Sequence, residues 1–270
     1  MPIHDWRRVT AGTFHHFHQE WISEIGRALN HGLLPKGYYA MTDQVAGGPH
    51  PDVLMLEEVD DDDTGDFDDE PSFGFGGGGG GGTAVVSAIA EHPPKLRYTL
   101  EAEEAIYASK ADRVAIYHST GDRVIAFIEI VSPGNKHSSV AVRQLIDKLA
   151  NALAQGRHVI LIDLFPPGRH DPRGLHAELW GKPDPPMTVE EPLTLVSYRA
   201  SASPVAHLEP TAVGQTLVDV PLFLDQEHYI NVPLEATYLA AWNGVPDRWK
   251  KVLEPPTVPA RNETEDVKKQ

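Results

Sequence analysis

Residues 158–165 read HVILIDLF, an apolar run of strand length interrupted only by Asp163. A strand can be apolar on both alternating faces only where both faces of its sheet are covered, so this run requires helices packed on either side. The preceding segment supplies one. From Ser138 to Gln155 the residues Val142, Leu145, Ile146, Leu149 and Leu153 recur at helical spacing, and Gly156 provides the stop. Before it, Arg123 to Val131 is an apolar, β-branched strand, closed by Ser132-Pro133-Gly134-Asn135. Ser119-Thr120-Gly121-Asp122 predicts a hairpin turn joining that strand to Arg113 to His118. Lys95 to Glu101, after Pro93-Pro94, predicts another extended segment.

The amino-terminal part follows the same logic. Thr13 to Asn30 sets Phe14, Phe17, Trp21, Ile25, Ala28 and Leu29 at three- and four-residue intervals, the stripe of an amphipathic helix that His31-Gly32 ends. Tyr38 to Val45 and Asp52 to Val59 predict two strands around Gly47-Gly48-Pro49. Helix, strands, helix and buried strand make an α/β order. Beyond it the chain is Pro-rich, with a strand predicted at Thr194 to Ala200, a short one near Leu222, and helical segments around Leu234 to Trp242 and Asp247 to Leu253. No internal repeat accompanies them.

Two stretches cannot contribute to such a core. Residues 57–70 carry ten acids and no base, which concentrates most of the formal net charge of -16, and Gly76 to Gly82 follow. Like charge and glycine bury too little apolar area to offset ordering entropy, so residues 60–82 are expected to form a disordered, solvated insertion, without the loop spacing of a calcium site. Residues 254–270, with Pro255, Pro256 and Pro259, read as a disordered tail. The expected organisation is therefore one α/β domain from 1–59 and 83–200, with 201–253 as an extension packing on it. The 270 residues are 41% hydrophobic, enough to exclude wholesale disorder. No apolar run reaches about 18 residues and Met1 to Arg8 is polar, so no membrane association and a cytoplasmic location are expected. With no cysteine, any metal must be held by oxygen or imidazole.

The residue that most invites chemistry is Glu129, a carboxylate inside the apolar strand VIAFIEIV. Desolvating it is costly unless a cation, a metal or hydrogen-bond donors meet it. Lys136 in the following loop, and Arg143, Gln144 and Lys148 on the next helix, are within reach along the chain. With Asp52, after Pro51 at the head of another strand, two carboxylates and a lysine would suit Mg²⁺, which prefers oxygen ligands and keeps several waters. A structural ion pair beneath the strand end is the competing reading.

These residues carry a resemblance. Pro51-Asp52, then the apolar strand ending in IEIVSPGNK (Ile128 to Lys136), then a helix with Arg143, Gln144 and Lys148, then HVILIDL (His158 to Leu164), resemble the PD-(D/E)XK nuclease-like superfamily and its Uma2-like branch. The likeness is closest to an uncharacterised bacterial domain-of-unknown-function family near Uma2, which Phe17-His18 and Pro221 to Asp225 also resemble. It implies a restriction-endonuclease-like core (α-β-β-β-α-β, a mixed sheet flanked by helices). It also implies a Mg²⁺- or Mn²⁺-dependent hydrolysis of phosphodiesters, with DNA in the cleft. In that reading Asp52 and Glu129 hold the metal, and Lys148 is the lysine borne by the following helix. Lys136 is the second choice of lysine, and His18, Glu20 (or Glu24) and Gln144 give support. The superfamily's usual lysine position is here Val131, so activity depends on a lysine that has migrated. The alternative is a catalytically inactive module of the same fold that binds protein partners.

Other candidates have plainer readings. His15, His16 and His18 share the first helix without an accompanying cluster at ligand spacing, which favours ordinary surface or core roles. Asp163 at a strand end is the usual cap of the next turn. Ser132 sits in no G-x-S-x-G elbow, and Gly76 to Gly82 lacks the lysine of a P-loop. Trp242 and Trp249 are expected to pack on the core rather than stack on bases.

Overall fold

A computed structural model describes residues 3–41, 53–57, 94–101, 123–181 and 188–254. The first helix, α1 (Ala11–Ala28), is capped by the Thr10 side chain, which accepts from Thr13 N. It widens into a π turn, Leu29–Leu33, where Gly32 takes a φ of 105° that L-residues avoid. Asn30 then fastens the helix end to β1 (Tyr38–Met41) through two 2.8 Å bonds, its Nδ2 donating to Ala40 O and its Oδ1 accepting from Ala40 N.

The remaining strands are β2 (Val53–Glu57), β3 (Tyr98–Glu101), β4 (Arg123–Ile130), β5 (His158–Asp163), β6 (Leu193–Arg199), β7 (Val205–Thr211), β8 (Val220–Phe223) and β9 (Tyr229–Val232). The helices after α1 are α2 (Pro133–Lys136), α3 (Ser139–Ala154), α4 (Leu175–Trp180), α5 (Leu234–Asn243) and α6 (Asp247–Leu253). Seven strands form one mixed sheet in the order β1-β2-β4-β5-β6-β7-β3, and β8 and β9 pair separately. Among the described strands of the large sheet only β4 and β5 run parallel, joined by α3, which is the crossover a parallel pair needs.

The apolar run at β5 is buried from end to end, and alternation divides the core into two layers. Ala126, Ile128, Ile130, Ile160 and Ile162 meet Phe14, Phe17, Trp21 and Ile25 of α1. Phe127, Val131, Val159 and Leu161 meet Val142, Leu145, Leu149 and Leu153 of α3. Each of these large side chains contributes about 2 kcal/mol by leaving water.

Several boundaries differ from the sequence reading. The expected division at residue 200 does not follow the sheet, because β7 lies inside it, bonded to β6 along its whole length. The segment after Pro94 forms β3 at the far edge beside β7, away from β4. Helix α4, β7 and β9 are too short or too weakly patterned to stand out from the sequence alone. The strand expected at Arg113 to His118, the insertion 60–82 and residues 255–270 lie outside the described residues. No helix among the described residues is long and apolar enough to cross a membrane.

An aromatic assembly closes the α1 side. Tyr238 of α5 accepts from His4 N and Trp6 Nε1, both at 3.2 Å, so its own proton goes to His4 Nδ1 at 2.7 Å. The His4 ring stacks on Trp242, 3.7 Å between centroids. Trp242 is thus a core residue, as expected. Burial, with the terminal amine, lowers His4 to about 4. Burial likewise lowers His158, whose Nδ1 accepts from Ala200 N, and His207, stacked on Phe223, each to about 4.

These three imidazoles are neutral when folded, and their ordinary value is 6.5. Between pH 6.5 and 4 the unfolded chain therefore binds more protons, and stability falls as pH falls through that window, by about 1.4 kcal/mol per pH unit for each fully shifted histidine. Urea unfolding from pH 7 to 4 should show a shallower decline in His207→Gln than in the wild-type chain. Parallel profiles would contradict this assignment.

Candidate functional site

The site is built by the β4–β5 pair and its crossover. From Phe127 onward the odd-numbered residues of β4 face α3, which places Glu129 between Phe127 and Val131, with Leu161 of β5 as its Cα partner. Lys148 stands on α3 one residue before the inward-facing Leu149. Its Nζ reaches Glu129 Oε2 at 2.5 Å and lies 5.8 Å from the centre of the Phe127 ring. Glu129 is only 4% exposed. A carboxylate so enclosed stays charged at small cost only with a cation beside it, and the lysine stem lies along apolar neighbours while its head supplies that cation.

A second ion cluster sits further along the same face. Asp163, two residues beyond Leu161, lies about 8 Å from Glu129 by strand spacing. Lys136, from α2, places Nζ 2.8 Å from Asp163 Oδ2, from Asp171 Oδ2 and from the Phe165 carbonyl. The carboxylates also shape the loop after β5, since Asp163 Oδ1 accepts from Phe165 N and Asp171 Oδ1 from Gly168 N. Burial pushes the Asp163 carboxyl up, against the pull of Lys136. Two enclosed acids share one lysine, which donates to Asp163 and the Phe165 carbonyl and meets Asp171 Oδ2 as an ion pair without a hydrogen bond.

The sequence-derived candidates separate accordingly. Glu129 and Lys148 meet directly. Lys136, the second choice of lysine, instead donates to Asp163 Oδ2 and the Phe165 carbonyl and pairs by charge with Asp171. It turns away because α2 carries it over the end of β5. Asp163 caps the following turn, as expected of a strand-end aspartate. His18 is buried and its Nε2 donates to Ile130 O at 3.0 Å. Glu20 and Gln144 are exposed on α1 and α3, Glu24 pairs with Arg27, and Asp52 lies outside the described residues. Asp171 escaped the sequence reading. Its only signal was an acid within the Pro-bounded loop that follows the buried strand.

Two carboxylates would satisfy Mg²⁺ or Mn²⁺, which fill their remaining positions with water. Among the described residues no group of three His, Cys, Asp or Glu side chains is placed to hold a metal. The pairing of Glu129 with Asp52 therefore rests on the sequence resemblance. No family model, curated protein or solved structure matches the chain.

The Lys136 cluster is testable by stability. Lys136→Met leaves two buried carboxylates without their cation and should cost about 3 to 5 kcal/mol at pH 7 by urea unfolding, with part of the loss recovered on acidification as the acids protonate. A cost below about 1 kcal/mol would show that the cluster does not hold the loop.

Proposed function

We propose that the chain is a Mg²⁺- or Mn²⁺-dependent phosphodiesterase of the PD-(D/E)XK, Uma2-like kind, with Asp52 and Glu129 as the acidic pair and Lys148 as the lysine. The observation that carries this reading is the contact of Glu129 with a lysine borne by the helix after its strand. Strand order gives further support. With β3 set aside, since it falls between β2 and β4 in the chain but lies at the far edge of the sheet, helix α1, the antiparallel neighbours β1, β2 and β4, the crossover α3 and the parallel β5 resemble the α-β-β-β-α-β order of a restriction-endonuclease-like core. Asp52 immediately precedes Val53 in the sequence. Val53 is the Cα partner of Ile128, the residue next to Glu129.

A divalent cation held by the two acids supplies Lewis acidity and charge neutralisation at a phosphoryl group. Lys148 contributes in two ways that need only the chain itself. It fixes the Glu129 carboxylate through Oε2, and it places a positive charge where negative charge grows as the phosphodiester is attacked. DNA is the proposed substrate, by analogy with the superfamily.

The near-complete enclosure of Glu129, together with Val131 at the usual lysine position, favours a second reading, a catalytically inactive module of this fold that binds protein partners. A metal titration separates the two. At about tenfold over its dissociation constant, Mn²⁺ should stabilise the wild-type chain by about 1.4 kcal/mol, roughly 4 °C in Tm, and should leave Glu129→Gln and Asp52→Asn unshifted. Wild-type chain with Mn²⁺ should also nick supercoiled DNA, and Lys148→Met should not. Equal thermal shifts in all three proteins would overturn the enzyme reading.

A further inference from the structure

Resting on the proposed function, we propose that His18 is a positioning residue for the Glu129–Lys148 pair, acting through the peptide that follows Glu129. His18 approaches from α1, whose side chains pack on the face of the sheet opposite to the one that α3 covers. The sheet therefore stands between it and the Glu129–Lys148 pair. His18 reaches backbone instead.

The peptide joining Ile130 to Val131 is held at both ends of its plane. Its N–H donates to Ile162 O at 2.8 Å and its carbonyl accepts from His18 Nε2 at 3.0 Å. Successive strand residues turn their polar groups to opposite edges, so with Val131 bonded to β5 the Ile130 carbonyl faces the β2 side. There it lies beyond Val53–Ile128, the last register pair of β2 and β4 among the described residues. A carbonyl can only accept, so Nε2 carries a proton, and an imidazole buried at 6% exposure has little freedom to leave.

The consequence concerns Glu129. Its side chain springs from the residue directly before this peptide, and rotation of the peptide plane is taken up by the torsions of Ile130 and Glu129. With the plane clamped by β5 on one edge and by α1 on the other, the carboxylate is delivered to Lys148 on α3. Release of the His18 edge lets the strand end swing, and displacements of about 1 Å are enough to spoil a reacting geometry. Helix α1 thereby sets the geometry of an ion pair on the far face of the sheet.

The test reads the ion pair itself and needs neither metal nor substrate. A brief acetic anhydride pulse, with each lysine quantified by mass spectrometry, is applied to the wild-type chain, His18→Phe and His18→Gln. Lys148 should acetylate about fivefold faster in His18→Phe, the factor a single net hydrogen bond commands, with Lys136 unchanged. The amide of His18→Gln, able to donate at similar reach, should restore most of the protection. Should His18→Phe not fold, His18→Asn, whose amide is too short to reach the carbonyl, takes its place under the same criteria. An unchanged Lys148 rate, a joint rise of Lys148 and Lys136, or failure of His18→Gln to restore protection overturns the positioning role. Absence of a Mn²⁺ shift in wild type would sink the proposed function instead, so the two failures are distinguishable.

Discussion

Glu129 and Asp163 stand on neighbouring parallel strands beneath the same helical layer, and neither carboxylate can keep its charge there without a cation. Both cations come from the segment that connects the two strands. That segment is required by topology, since parallel neighbours cannot be joined by a tight turn. It covers the face with Leu145, Leu149 and Leu153, and it also carries Lys136 and Lys148 to the two acids. Chain connection, apolar cover and charge compensation are thus one element, and the loop after β5 takes its shape from the same ion cluster.

The two lysines have different capacities because of what surrounds them. Lys136 meets three oxygens, two from carboxylates that also anchor backbone N–H groups, and its role is to hold the rim of the strand ends in one shape. Lys148 contacts the Glu129 carboxylate beside an aromatic ring, and that carboxylate follows the residue paired with Val53 at the start of β2. Proximity in sequence favoured Lys136, and the resemblance favoured Lys148. Direction of approach separates them, since α2 passes over the end of β5 while α3 lies back along β4.

The opposite layer is organised around hydroxyl and imidazole groups with no excess of charge. Tyr238 ties the chain before α1 to α5 by accepting twice and donating once, a pattern that requires His4 to be neutral. His158 accepts from Ala200 N under the same constraint. Acid therefore acts on this layer by forcing donors to face donors, whereas on the α3 side burial pushes the Asp163 carboxyl toward protonation. Asp163 and these histidines respond to pH with opposite sign.

By itself the sequence determined the elements whose information is local. Apolar periods of 3.6 and of one residue marked α1, α3 and β5, glycine and proline marked their ends, and the cost of burying Glu129 required a cation from the residues that follow it. It identified both lysines able to answer that need. Only the tertiary structure decided between them, brought Asp171 under Lys136, placed β7 inside the sheet and β3 at its far edge, and joined His18 to Ile130 across 112 residues of chain. Those outcomes depend on which strands become neighbours and from which side each helix arrives. Side-chain periodicity records which face of an element is buried but carries no label for the partner that buries it, so pairings between distant segments exist only once the sheet is assembled.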